Sequence, residues 1–118
     1  PRVTKVPGVR NWMLGVANIR GRLVPILDLA GLLDVPSKAN WRTRRVLVVG
    51  EGQQQHGLLV DDVLGMQQFP SHEVINQMYV EANYAPYVRG GFERDGSNWP
   101  IFSFTDLVQA DEFLQVAV

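Results

Sequence analysis

Few side chains in this sequence have the type and spacing for covalent chemistry. The strongest group is Asp61-Asp62, which closes the apolar run Gly57-Leu58-Leu59-Val60. Paired carboxylates at the end of such a strand suit a magnesium-dependent phosphoacceptor pocket. That pocket also needs a later lysine, and the last lysine here is Lys38. An acidic turn between strands is the better account. His56 and His72 are the two histidines, and neither has a carboxylate or second histidine at ligand spacing; Glu73 only adjoins His72. The chain has no cysteine, which removes disulfides, thiolate catalysis and Cys-type zinc sites together. No nucleophile-elbow, P-loop or dinucleotide-binding glycine pattern occurs. No catalytic residue, metal or cofactor is therefore assigned.

What remains is Asn18 and Arg20, inside the stretch Gly15–Leu29, GVANIRGRLVPILDL. Arg20 at a tight turn can bridge to a carboxylate and fix the hairpin, or present its planar fork to a partner. The two roles are compatible, and the sequence leaves both open.

The elements that must position these residues are short. Leu14–Ile19 and Arg22–Asp28 read as strands about an Arg20-Gly21 turn. Asp28 is placed to cap a helix over Leu29–Leu33, which ends before Pro36. Arg44–Val49 and Gln55–Val60 form a hairpin across Gly50–Gln53. A further strand is expected over Val63–Phe69, stopping at Pro70, and Ser71–Pro86 is irregular. Tyr87–Arg94 and Asn98–Phe104 make a hairpin about Asp95-Gly96, a strong two-residue turn signal. Thr105 is placed to cap a helix through Ala110, and the tail Phe113–Val118 is apolar. Trp12, Trp41 and Trp99 suit a core or an interface rim. Gly90-Gly91 inside a strand points to special backbone conformation or close packing.

The two hairpins repeat one pattern. Gly15, Arg20-Gly21 and Val24-Pro25-Ile26 are answered by Gly90, Arg94-Asp95-Gly96 and Trp99-Pro100-Ile101. Proline removes a ladder donor, so each Pro-Ile strand must be kinked or partly unpaired. Duplication predicts two small barrels.

Bulk composition narrows the class further. At 118 residues, 46% hydrophobic and 19% charged, the chain is one globular domain with less charge than the roughly 25% typical of soluble domains. A net charge of −1 gives no global field for nucleic acid or an anionic membrane. The run Trp41-Arg42-Thr43-Arg44-Arg45 is the local exception, a solvated strand entrance or a contact for an acidic surface. No apolar run approaches the roughly 18 residues of a membrane span.

The run VPGVRNWMLGVANIRGRLVPILDLAGLL resembles the CheW-like adaptor domains that couple chemoreceptors to the kinase CheA. Their Gly-Val-x-Asn-x-Arg-Gly turn and Pro-hydrophobic-x-Asp-Leu strand correspond to Gly15, Val16, Asn18, Arg20, Gly21, Pro25, Asp28 and Leu29. HGLLVDDVLGM and NWPIFSFTDLV resemble later family segments, with Ser103 where an aspartate is usual. Among these domains the chain looks most like those serving type IV pilus twitching motility. The resemblance implies an all-β fold of two small SH3-like five-stranded barrels with short helices. It also implies a cytoplasmic, non-catalytic adaptor that contacts a CheA-type histidine kinase regulatory domain and a chemoreceptor cytoplasmic tip. Gly15, Asn18, Arg20, Gly57 and Met66 are the implied contact residues. A CheW-like regulatory module of a larger kinase or coupling protein and a small-ligand-binding β-barrel are the rival expectations.

Family members begin with further strands before the position of Pro1, so residues 1–118 are expected to form one CheW-like domain with an incomplete first barrel. The acid that pairs with Arg20 would lie in that missing part. Leu14, Val16, Val24, Ile26 and the Val46–Val49 strand are then expected to be uncovered, and the chain to self-associate.

Overall fold

The computed structural model describes residues 2–37, 40, 42–52, 54–110 and 113, and resolves two compact units. The first comprises Pro1–Leu64 with Asp111–Val118, the second Gly65–Ala110.

The first unit holds β1 (Val3–Thr4), β2 (Met13–Ile19), β3 (Arg22–Asp28), α1 (Leu29–Leu33), β4 (Arg45–Val49) and β5 (His56–Val60). They form one sheet in the order β1-β2-β3-β5-β4. All neighbours are antiparallel except β3 and β5, which run parallel from Ile26↔Gly57 to Asp28↔Leu59. Alternation selects the buried face. Ala17, Val24 and Ile26, each 1% exposed, form a core cluster, with Leu14, Ile19 and Val46 packed against it. Val24 and Ile26 are thus covered, contrary to expectation. Within the Val46–Val49 strand, Leu47 and Val48 are exposed as expected, and Val3, Val6 and Leu23 are further exposed apolar side chains of this unit.

The second unit holds β6 (Val88–Arg94), β7 (Ser97–Phe102) and α2 (Phe104–Val108). β6 and β7 pair antiparallel, and the Ile75↔Gly91 bridge adds one rung. The expected Val63–Phe69 strand does not form. Residues 61–68 are exposed coil, with no ladder to bury their apolar positions. Phe69 alone anchors, stacked on Phe92 at 4.8 Å and tilted against Trp99 at 5.6 Å.

The repeat is geometric. Both hairpins close on turns whose central residues have positive φ, Arg20 (52°) with Gly21 (83°) and Asp95 (54°) with Gly96 (78°). That is the type I′ pattern, whose twist matches paired strands. The register correspondence falls on Asp95, not on Arg94. Both incoming strands bulge beside a glycine, between Met13 and Gly15 and between Val88 and Gly91. The amides of Asp28 and Ser103 donate to the carbonyls of Trp12 and Tyr87 at 2.7 and 2.6 Å. Each accepted bond leads into a short helix, α1 after Asp28 and α2 after Ser103.

Register also explains the prolines. In a two-residue hairpin the pair flanking the turn is hydrogen-bonded, and bonded and non-bonded pairs then alternate. Counting from Ile19↔Arg22 and Arg94↔Ser97, Pro25 and Pro100 both fall on non-bonded pairs. Their nitrogens point away from the hairpin partner, where no donor is needed.

The cap of α2 differs from expectation. Ser103, not Thr105, is the N-cap, its Oγ accepting from the Asp106 amide at 3.1 Å. Asp28 occupies the N-cap position of α1 without a side-chain bond to it. Neither sheet closes into a barrel among the described residues, so the expected pair of five-stranded barrels is seen as two open sheets. Trp41 and the tail beyond Phe113 lie outside the described residues.

Candidate functional site

The first hairpin carries three of the five expected contact residues. At its tip, Asn18 Oδ1 accepts from the Gly21 amide at 2.9 Å. The short amide side chain thereby closes the turn and helps hold Arg20 in the left-handed region. Arg20 is exposed and makes no hydrogen bond or ion pair with a described residue. A carboxylate for it is not found among the described residues of this unit.

Gly15 and Gly57 are buried and flank Ile26 in register across β2, β3 and β5. A Cβ on Gly15, whose φ is +147°, would sit 2.1 Å from the Thr4 carbonyl oxygen. One on Gly57 would meet Ile26 Cδ1 at 2.5 Å and Val46 Cγ1 at 2.9 Å. Both glycines therefore let neighbouring atoms approach, a packing requirement that the sequence pattern alone did not reveal. Met66 belongs to the second unit, where its side chain is 100% exposed. The structure brings Asn18 and Arg20 together at the hairpin tip, and Gly15 and Gly57 beneath it in the sheet.

The acidic pair is engaged locally. Ser37 Oγ donates to Asp61 Oδ1 and accepts from Arg44 Nη2 at 2.9 Å. Thr43 Oγ1 bonds to the carbonyls of Asn40 and Asp61 at 2.9 and 3.1 Å. Asp62 Oδ1 accepts from the Val63 amide at 2.8 Å. These contacts tie the approach to β4 against the end of β5. In the basic run, Arg45 Nη1 reaches the carbonyls of Arg42 and Arg44, each at 2.9 Å.

His56 lies edge-on to Phe113 at 5.3 Å between ring centroids, and Phe113 stacks on Trp12 at 6.4 Å. Burial holds the His56 imidazole below its ordinary titration range, and a bond to the Gln54 backbone partly opposes this. In the second unit Arg94 lies 4.2 Å from the centroid of Phe69 and donates to the Gln68 carbonyl at 2.8 Å. Arg89 grips Asp106 through Nε and Nη2, which pulls the Asp106 carboxyl below the usual range.

A family model described as the CheW-like domain matches residues 1–112. The chain belongs to the CheW-like domain family. Its CheW-like sequence is 45% identical to Protein PilI of Pseudomonas aeruginosa over 119 residues, covering 100% of this chain and 66% of that protein. It is 32% identical to Chemotaxis protein CheW of Thermotoga maritima over 72 residues, 61% of this chain and 47% of that protein. It thus spans just under two-thirds of one relative and about half of the other. Among solved structures, the scaffolding protein TtCheW from Thermoanaerobacter tengcongensis superposes with a TM-score of 0.80 at 22% identity. That match covers 94% of this chain and 76% of the other, and shows that the all-β CheW-like fold is shared.

Sequence inspection missed Arg22, Gly52 and Gln55, which line clefts beside Arg20. The one signal for Arg22 was a second arginine two residues beyond the first on a strand entering the core.

Proposed function

We propose that this chain is a non-catalytic cytoplasmic adaptor that couples the cytoplasmic tip of a chemoreceptor to the regulatory domain of a CheA-type histidine kinase. The pathway is a chemotaxis-like one controlling type IV pilus twitching motility. The 45% identity to PilI across the whole chain carries this reading. Chemotaxis protein CheW and the scaffolding protein TtCheW, by their names, support an assembly role over a catalytic one.

In this reading Gly15, Asn18 and Gly57 set the shape of the first unit, Arg20 supplies a fixed cation, and Met66 supplies apolar contact. Signalling contacts of this type often bury about 1,200 Å² or less, so each is modest alone and gains strength in an array. The test is capture of a receptor tip and a kinase regulatory domain, presented separately to the immobilised chain. Both should be retained, and Arg20→Ala or Met66→Ser should weaken retention of at least one. Retention of neither partner overturns the adaptor reading.

A further inference from the structure

The two hairpin tips correspond residue for residue, Asn18 with Glu93, Arg20 with Asp95 and Gly21 with Gly96. They differ in what meets the amide of the turn glycine. In a two-residue turn the closing bonds join the residues on either side, and the N–H of the second turn residue is left over. At the first tip Asn18 Oδ1 takes the Gly21 amide at 2.9 Å. At the second, Glu93 stands in the place of Asn18, and the Gly96 amide has no acceptor among the described residues.

The residue before that amide is an acid. Asp95 and Gly96 are both exposed, and the Asp95 carboxyl has no hydrogen bond or ion pair with a described residue. The adjoining Arg94 is turned to Phe69 and the Gln68 carbonyl. An aspartyl side chain has the right length for attack by the next residue's nitrogen, because the ring that closes has five members. A side chain on that next residue hinders the attack, and glycine has none. Asp95 is the one Asp or Asn in the sequence that glycine follows. The folded turn holds the two groups in a fixed arrangement, so closure follows brief opening of the tip. Exposed, sparsely contacted segments open at low free energy. The Asn18 bond holds the first tip shut, and the second tip lacks it.

We propose that Asp95 is a site of spontaneous isomerisation, at which the second hairpin ages covalently. The Gly96 nitrogen bonds to Asp95 Cγ, the Cγ–OH bond of the protonated carboxyl breaks, and that hydroxyl leaves with the amide proton as water. Water then adds to the ring at either carbonyl. Opening at Cγ restores aspartate. Opening at the main-chain carbonyl leaves Gly96 joined through Cγ, an isoaspartyl link with one more main-chain atom. Nothing is oxidised or reduced, and the mass is unchanged. A two-residue turn has no place for the extra atom. The Arg94↔Ser97 and Phe92↔Trp99 pairs should loosen, and with them the packing of Phe69 on Phe92 and Trp99. The inference does not depend on the adaptor reading.

The test incubates the 118-residue chain at neutral pH and physiological temperature beside the free peptide acetyl-Glu-Arg-Asp-Gly-Ser-Asn-amide. Peptide mapping with electron-transfer fragmentation distinguishes the two isomers at equal mass. Isoaspartate is expected at Asp95, with at least tenfold less at every other Asp or Asn. Glu93→Asn, which moves the Asn18 brace to the second tip, should slow the folded chain at least threefold and leave a peptide with the same change unaffected. Amide chemical shifts of residues 92–99 should change in step with the isoaspartate while those of residues 13–28 hold. Asp95→Glu would need a six-membered ring and should keep its starting shifts over the same time. No isoaspartate at Asp95 in the folded chain after the peptide has half converted overturns the proposal, as does an equal yield at another site. An unchanged rate in Glu93→Asn overturns the role of the unoccupied amide. Equal loss of the second hairpin's shifts in Asp95→Glu overturns the link between isomerisation and the loosening.

Discussion

Among the described residues, the outgoing strand β3 of the first hairpin has neighbours on both sides, whereas the outgoing strand β7 of the second has β6 alone. The turns, bulges and proline positions are otherwise matched at one constant offset. The shared parts are those that a hairpin needs locally, namely positive φ at the turn and close backbone approach at the bulge. The unshared parts follow from surroundings. In the first unit Asn18 braces the turn and Arg20 has no partner among the described residues, while in the second Arg94 is occupied with Phe69 and Gln68. The first turn therefore presents an arginine where the second presents Asp95, and the arginine beside the second turn is stapled within its own unit.

The comparison breaks first at its glycines. A Cβ on Gly15 would lie 2.1 Å from the Thr4 carbonyl oxygen, and one on Gly90 2.3 Å from that of Ile75. Both have positive φ and both collide with backbone, which cannot swing aside. Gly15→Ala and Gly90→Ala should each cost about 3 kcal/mol or more. Denaturant unfolding followed separately in the two units checks this, and a large cost in only one would show that the bulges are not equivalent.

Gly57→Ala should be milder, about 1–3 kcal/mol, because the atoms met are side-chain ends on Ile26 and Val46 that can shift. A thermal melt that moves as far as that of Gly15→Ala would contradict this ranking. The helix caps come next. Ser103→Ala removes a real cap bond and should cost about 1 kcal/mol, whereas Asp28→Ala removes no cap bond and should cost less. Equal losses in equilibrium unfolding would mean that Asp28 acts in some way the contacts do not record.

Acid should separate the units by the smallest but clearest margin. Burial lowers the His56 value, so folding favours the neutral ring. Its contribution is present above the ordinary histidine value of about 6.5 and is lost as pH falls through it. The grip of Arg89 lowers the Asp106 value, so that contribution persists to about pH 4 and is lost only below. Melting of the first unit should therefore begin to soften as pH falls below about 6.5, before the loss at Asp106 sets in. His56→Phe should abolish that early loss.

Local chemistry made much of this legible from sequence. Arg20-Gly21 and Asp95-Gly96 announced their turns, the repeated Pro-Ile strands announced a duplication, and the Gly-Val-x-Asn-x-Arg-Gly pattern announced the family. Long-range pairing was hidden. Nothing near Val3 marks β1 as a strand, and nothing near Gly57 says that it lies beside Ile26, because parallel neighbours meet across a crossover. Val63–Phe69 has the apolar content of a strand but no partner to bond, so composition misled there. Of the proposed contact residues, the tip pair Asn18 and Arg20 could be located on the hairpin from sequence. The packing duties of Gly15 and Gly57 could not, because they depend on what approaches them.

The proline positions have a consequence for how the chain reaches this fold. A hairpin can misalign by one residue, which turns its inward side chains outward. Here such a slip would also move Pro25 or Pro100 onto a bonded position, where the pyrrolidine nitrogen has no proton to give. Each ring thus makes the wrong alignment lose a hydrogen bond that the right one never required. The same residue that looks like a flaw in a strand works as a proofreading mark, read once in each half of the molecule while the hairpins zip.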